Sequence, residues 1–403
     1  MNKEKFIQGL SCCLLILLLA GNSAATAERP IKLLFIGNSL TYGNSLPSML
    51  EAMANSDGTN KVQVSMVTIG GAALAQHWFA GRALAAIQQG GWDYVILQEY
   101  SALGPTIVNG NAVLANPETF YAFATLFHNA IQKTGAQTAL MLTWARQQKT
   151  GDQAVLNHAY AQLATALDAQ LIPVGPVWQQ VRQQAPGLAL YLDDGLHPAA
   201  AGTYVAASVL YAHLLGDSIL GQSATVMAPR FDHTGTHKST TPRPLVTLAD
   251  HHAALIQTLA VDSVNTLPAL LQHALKHPPQ HRQAPALPSG DSPKASILGQ
   301  WSGQLAYFMA RPATLTLSFY PQGKQWSVKQ KIVFNNGDTL QATYPVAWQD
   351  NGHFYWGDSL TGSYFYGVFH NNKLTGHIHS FRSAYRQSGS RFGRWALSSN
   401  HSL

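Results

Sequence analysis

Two short segments, far apart in the chain, carry residue types capable of nucleophilic chemistry. The first is Gly37-Asn38-Ser39-Leu40-Thr41 and the second is Asp194-Gly195-Leu196-His197-Pro198. A serine hydroxyl attacks a carbonyl only when a base takes its proton, and that base needs an acidic partner on its other ring nitrogen. An Asp three residues before a His on a turn can reach that nitrogen. Each segment also has a plainer reading. Gly-Asn-Ser suits a simple turn or helix cap, and Asp-Gly suits a turn before a helix that opens with His and Pro.

The surrounding hydrophobic pattern shows how such residues would be positioned. Lys32 to Ile36 is a short apolar run ending at Gly37, which reads as a buried strand and places Ser39 in a loop at its carboxyl end. Pro47 to Ala54 reads as a helix with proline in its first turn. Strand-like Val62 to Thr68, Tyr94 to Leu97, Thr138 to Thr143 and Leu171 to Val174 then alternate with helix-like Leu74 to Gln89, Phe120 to Thr134, Val155 to Ala169 and His197 to Leu215. Strands separated by helices imply parallel βαβ units. The expected fold class is therefore α/β, a three-layer α/β/α sandwich on a parallel sheet. In such sheets ligands sit outside the carboxyl ends of the strands.

Taken together and in this order, the two segments resemble the SGNH (GDSL-type) hydrolase superfamily over roughly residues 31–215. Gly37-Asn38-Ser39-Leu40 stands where that superfamily carries its first block, and Asp194 and His197 stand where it carries Asp-x-x-His. The resemblance implies that Ser39 is the nucleophile, His197 the general base and then acid, and Asp194 its orienter. Asp193 has the wrong offset. In the second block, Ile69-Gly70-Gly71-Ala72 follows a strand, and either glycine suits a backbone oxyanion donor, with Gly71 favoured. The third block, normally Gly-x-Asn-Asp, is missing. Gln98-Glu99-Tyr100-Ser101 occupies its place, and Gln98 offers the same amide chemistry on a longer arm. The implied oxyanion hole is thus Ser39, Gly71 and Gln98, with no metal and no cofactor. Asn38 is expected to help by pinning the loop or meeting substrate.

Other residues read two ways. Trp78 and Trp144 either wall a substrate pocket or pack in the core. Arg146 follows a strand that ends on the catalytic side, and either binds an anionic substrate group or makes a surface salt bridge. His377 and His379 share one face of a strand, but no third metal ligand accompanies them, and a polar strand face is the plainer account.

Composition sets the wider frame. Only 11% of the 403 residues are charged and 46% are hydrophobic, so the chain can bury a core. The net charge is +6, yet residues 28–300 sum to −1 and residues 301–403 to +6. The basic balance therefore belongs to the C-terminal quarter, and nucleic-acid binding by the whole chain is not implied. That quarter also holds 20 of the 39 aromatic residues. Short strand-like runs from Ile297 onward, with turns such as PQGK, NNGD and HNNK between them, predict an all-β meander, a small barrel or sandwich. Its Gly299-Gln300-Trp301 start is faintly like a lipocalin. Residues 277–296, rich in proline, read as a linker, and 216–276 as a helical extension, with helices expected over Leu245 to Leu259 and Leu267 to Leu275.

Residues 1–27 read as a cleaved secretory signal, with Lys3 and Lys5, the apolar Leu14 to Ala20, and Ala25-Thr26-Ala27 as the cleavage site. Both cysteines, Cys12 and Cys13, lie within it, so the mature chain has no thiol chemistry. After residue 30 no apolar run reaches the roughly 18–20 residues of a membrane span. The expected protein is an exported, secreted or periplasmic serine ester hydrolase acting on a small-molecule or glycan ester. Two alternatives are an O-acyltransferase on a glycan and a non-catalytic glycan-binding protein on a hydrolase scaffold.

Overall fold

In a computed structural model of the chain, the described residues are 29–58, 61–104, 106–108, 111–114, 117–216, 218–279, 297–307, 313–322, 325–334, 337, 339–348, 353–358, 363–370, 373–380 and 391–399. Residues 1–27, expected to be a signal segment, and most of the expected linker 277–296 fall outside them.

The first half of the chain runs β1 (Ile31–Gly37), α1 (Ser39–Tyr42), α2 (Leu46–Ala54), β2 (Val62–Thr68), α3 (Leu74–Ala80), α4 (Arg82–Gln88) and β3 (Tyr94–Leu97). A two-stranded ribbon, β4 (Thr106–Val108) and β5 (Asn111–Val113), leads to α5 (Glu118–Gln132) and β6 (Gln137–Met141). Next come α6 (Asp152–Leu167), β7 (Gln170–Ile172), α7 (Val174–Gln184) and α8 (Ala200–Leu214). Strands β2-β1-β3-β6-β7 form one parallel sheet in that order.

The period of two along β1 divides the core between the two faces of the sheet. Leu33 and Phe35 join one cluster with residues of α2, α7 and α8, including Leu50, Trp178 and Leu210. Leu34 and Ile36 join a second with residues of α3 to α6, including Phe123, Phe127 and Leu156. Both faces are covered, as an apolar parallel strand requires. This is the expected α/β sandwich. The helix expected over 74–89 is two helices, because Gly81 takes a φ of +74° and ends α3.

The segment after α8 departs more from expectation. A hairpin, β8 (Thr225–Ala228) with β9 (Arg243–Thr247), precedes a single long helix, α9 (Asp250–Lys276), where two shorter helices were expected. Pro268 lies inside α9 without ending it. Ala253, Ile256 and Ala260 of α9 join the first core cluster, while Leu267 and Leu271 pack on the second, so the helix passes around an edge of the sandwich. His158 Nδ1 lies 2.7 Å from the Ala274 carbonyl and fastens its end. By length and composition α9 is also the one helix among the described residues long and apolar enough to cross a bilayer.

The C-terminal meander is a closed antiparallel barrel of eight strands: β10 (Gly299–Tyr307), β11 (Ala313–Gln322), β12 (Gln325–Phe334), β13 (Thr339–Trp348), β14 (His353–Asp358), β15 (Ser363–His370), β16 (Lys373–Ser380) and β17 (Arg391–Ser399). Alternation again sorts the side chains. Phe354 and Trp356 point into the barrel with Trp301, Phe319, Phe365 and Leu397. The Trp356 ring stacks on Phe365 at 4.7 Å. Tyr355, between the two inward rings, points outward and packs on Phe123 of α5 at 4.6 Å. Tyr355 and Tyr366 thereby join the second core cluster of the sandwich.

Candidate active site

The carboxyl ends of β1, β2, β3 and β6 and the loop before α8 carry the residues singled out above. Backbone geometry at the end of β1 explains the residue types there. A Cβ on Gly37 would fall 2.4 Å from both Gln98 Oε1 and Thr41 Oγ1, so only glycine fits. Asn38 caps α1 by accepting a hydrogen bond from the Leu40 N–H at 3.0 Å. Its amide nitrogen donates to the Ala72 carbonyl at 2.8 Å, joining the Ser39 loop to the Gly70-Gly71 loop.

Ser39 Oγ lies 2.8 Å from His197 Nε2, and His197 Nδ1 lies 2.5 Å from Asp194 Oδ2. The other carboxylate oxygen of Asp194 accepts from the Leu196 and His197 N–H groups, both at 2.9 Å. Burial alone would raise the Asp194 pKa. The hydrogen bonds from the His197 ring and the two backbone amides outweigh it and hold the carboxyl down at about 2. The catalytic loop closes on itself through the Leu192 N–H to the His197 carbonyl at 2.8 Å, with Gly195 at a φ of +65°.

The Ser39 loop and the segment carrying His197 are tied together by Asn44, absent from the sequence expectations. Its amide donates to the Pro198 carbonyl and to Thr203 Oγ1, both at 2.9 Å. Asn44 and Ser45 take φ values of 49° and 55°, a conformation that costs about 1–2 kcal/mol per non-glycine residue. That strain lies five and six residues after Ser39.

Among the described residues, the Ser39 and Gly71 N–H groups have no backbone hydrogen-bond partner. Gly71 has a φ of +67°. Gln98 is buried, and its Oε1 accepts from the Asn38 N–H at 2.8 Å and the Thr41 hydroxyl at 2.9 Å. Its amide nitrogen donates to the Glu99 carbonyl, which leaves one amide hydrogen. Gln98 therefore braces the Ser39 loop directly.

Three sequence candidates stand elsewhere than a substrate wall. Trp144 is buried, stacks on Trp178 at 4.0 Å and donates to the Leu196 carbonyl at 3.1 Å. It is a core ring that supports the catalytic loop. Trp78 packs edge-on against Phe127 at 5.1 Å, between α3 and α5. Asn38 is buried, with both ends of its amide bonded internally.

Further groups at this end were not legible as site residues. His77 is buried and donates from Nε2 to the Gly37 carbonyl at 2.8 Å, with Nδ1 unpartnered. Burial holds its pKa down at about 4, so it is a neutral prop and not a base. Glu99 accepts from the Leu74 and Tyr100 N–H groups, and burial pushes its carboxyl up to about 7. The Tyr42 hydroxyl lies beside Ser39 and near Gly70. His233 stands edge-on to Tyr42 at 6.3 Å. It comes from the loop between β8 and β9, which the Thr68 hydroxyl grips through the His233 carbonyl at 2.7 Å. Among the described residues no three His, Cys, Asp or Glu side chains gather as a metal site. The side chains of His377 and His379, on β16, fall outside them.

No protein-family model matches the chain, and no curated protein does. Solved structures similar to it include a DUF4886 family protein from Bacteroides uniformis, at 17% identity and a TM-score of 0.41, covering 59% of this chain and 95% of that one. TesA matches at 17% identity and a TM-score of 0.36, over 46% of this chain and 98% of its own. The acetyl xylan esterase AlAXEase matches at 16% identity and a TM-score of 0.39, over 46% of this chain and all of its own.

Proposed function

We propose that the chain is a serine ester hydrolase whose nucleophile, base and orienting acid are Ser39, His197 and Asp194. The observation that carries this reading is the continuous hydrogen-bonded path from Ser39 Oγ through both His197 nitrogens to Asp194. A bland turn and a helix cap would have no reason to meet across 158 residues of sequence.

In this reading Ser39 Oγ attacks the ester carbonyl while His197 Nε2 takes its proton. The carbonyl oxygen becomes an oxyanion, which the Ser39 and Gly71 N–H groups receive, with the remaining amide hydrogen of Gln98 as a third donor. Collapse of the tetrahedral adduct breaks the ester C–O bond, and His197 gives its proton to the departing alcohol. The acyl group remains on Ser39. Water then attacks, His197 takes the water proton, and the acid leaves as Oγ is reprotonated. An incoming sugar hydroxyl in place of water would make the same site an acyltransferase.

The proposed substrate class is a short acyl ester, with an acetyl group on a carbohydrate as its specific form. Tyr42 beside Ser39 and His233 beyond it support a short acyl group, because they occupy space next to the nucleophile. Export is part of the proposal through the leader-like residues 1–27.

The test is labelling of the protein with a fluorophosphonate, located by peptide mapping, beside a panel of p-nitrophenyl esters and acetylated xylan. The expected adduct is on Ser39. Ser39→Ala and His197→Ala should each lose about 10⁴-fold or more in kcat. Hydrolysis that survives Ser39→Ala would refute the assignment.

A further inference from the structure

The guanidinium of Arg146 is unpaired at the rim of this site. Arg146 follows β6, and its neighbour Gln147 donates from its N–H to the Gly195 carbonyl at 2.8 Å, next to Asp194. On the other side Arg146 Nη2 reaches Ser101 Oγ at 3.4 Å, three residues beyond Gln98. The side chain therefore spans from the catalytic loop to the loop after β3. Its Nε is buried and has no hydrogen-bond partner. The surface salt bridge that the sequence allowed is absent among the described residues. The acids nearest in the site are engaged elsewhere: Glu99 with two backbone amides, and Asp194 with His197.

A partly desolvated cation without a counter-charge is costly, and proteins normally pair it. The planar guanidinium fork fits a carboxylate through two parallel hydrogen bonds. We infer that Arg146 binds a carboxylate carried by the ester substrate, so that this site selects acidic esters over neutral ones of the same shape. The inference rests on the esterase reading. The carboxylate has two possible places, on the alcohol part, as in an acetylated uronic acid, or on the acyl part, as in a half-ester of a dicarboxylic acid.

A second arginine provides the control. Arg182 Nη2 lies 3.4 Å from the Gln147 carbonyl, its guanidinium sits 5.2 Å over the Tyr191 ring, and it lines a separate depression of about 260 Å³ with residues 186–190. It adds the same charge to the same edge without reaching Ser101.

The experiment measures kcat/KM of the full chain on two matched pairs. One pair is an acetylated glucuronoside against the acetylated glucoside. The other is p-nitrophenyl hemisuccinate against p-nitrophenyl butyrate. The acidic member of one pair should lead by about 10-fold or more, and the pair that shows the lead locates the carboxylate. Arg146→Ala should abolish the lead through KM, change the neutral esters by less than about 3-fold, and be partly rescued by Arg146→Lys. Arg182→Ala should leave the lead within about 2-fold. No lead in either pair overturns the inference. So does an equal loss on acidic and neutral esters in Arg146→Ala, which would make Arg146 a prop for Ser101, or an Arg182→Ala effect as large, which would make the preference a general field. Labelling of Ser39 and hydrolysis of p-nitrophenyl acetate are read first. Their failure removes the esterase and the subsite together, whereas their success with no charge preference removes the subsite alone.

Discussion

The sandwich and the barrel bury different things. Around the carboxyl ends of β1 and β3 the sandwich buries Asn38, Thr41, Gln76, His77, Gln98, Glu99 and Ser101. Among the described residues of the barrel the buried polar side chains are Ser327 and Gln330 alone, and Gln330 accepts a hydrogen bond from the Trp356 ring. The residues other than glycine at positive φ (Asn44, Ser45, Leu103 and Asp168) are likewise all in the sandwich. Buried polar groups and backbone strain both cost stability and persist where surrounding structure over-determines them. Asn44, Ser45, Leu103 and the buried polar side chains named above gather at the carboxyl end of the sheet, whereas Asp168 lies at its other end, between α6 and β7. The barrel instead applies its rich aromatic supply to close packing, as a small unit must. Trp301, Phe354 and Trp356 all belong to that packed interior.

The sharpest test of this division is Trp356→Ala. Removing the central ring of the barrel should lower the barrel's stability by about 3–5 kcal/mol. Calorimetry should show one transition moving down while hydrolysis of p-nitrophenyl acetate stays within about two-fold. If activity falls with it, the contact of Tyr355 on Phe123 couples the halves into one unfolding unit, and the comparison breaks.

The opposite perturbation is Gln98→Leu. It keeps the bulk but deprives the Asn38 N–H and the Thr41 hydroxyl of their acceptor. The expected outcome is a loss in kcat of about 10²–10³, equivalent to about 2.7–4 kcal/mol, with the barrel transition unmoved. A loss below ten-fold in steady-state kinetics would show that the brace is dispensable.

How much of this was legible in the sequence depended on range. The sheet was readable because Leu33 to Ile36 and Tyr94 to Leu97 are buried on both faces and show as unbroken apolar runs. The contact of Asp194 with His197 was readable because the two are three residues apart. Asn44 and His77 were not, because each acts through a partner distant in sequence or through a backbone carbonyl. Nothing in the letter His at position 77 announces the Gly37 carbonyl 40 residues away. Trp144 shows the converse. Its place after β6 allowed a pocket wall or a core ring, and burial against Trp178 makes it the core ring. The β8–β9 hairpin was hidden because its strands pack on α2 and α8, which are distant in sequence, and Leu245 to Leu259 has helical spacing across a strand and a helix start alike.

The smallest expected effect concerns pH, where two buried groups of the sandwich pull in opposite directions. Glu99 titrates at about 7 in the fold against 4.5 when unfolded, because burial disfavours its charge. The fold therefore holds its proton more tightly, and the associated stability is full below 4.5 and lost as pH rises toward 7. His77 titrates at about 4 against 6.5, again through burial. Its contribution is full above 6.5 and lost as pH falls toward 4. Each slope is about 1.4 kcal/mol per pH unit, so the two offset one another between 4.5 and 6.5. Because His213 is also held at about 4 by burial, two histidines act against one glutamate, and denaturation at steps from pH 4 to 8 should show the native chain losing about 1.4 kcal/mol per pH unit as pH falls from 6.5 to 4.5. Glu99→Gln should remove the rising limb of destabilisation and expose a steep loss below pH 6.5, to which His213, also held at about 4 by burial, contributes. His77→Gln should flatten the profile between 4.5 and 6.5, where Glu99 and His213 then offset one another. Asp194, held at about 2, stays charged across the whole range, so the triad keeps its orienting acid while the scaffold beneath it changes protonation. If both variants keep the native profile, the buried polar cluster is more hydrated than its packing implies, and the contrast with the barrel weakens at the place where it was drawn most strongly.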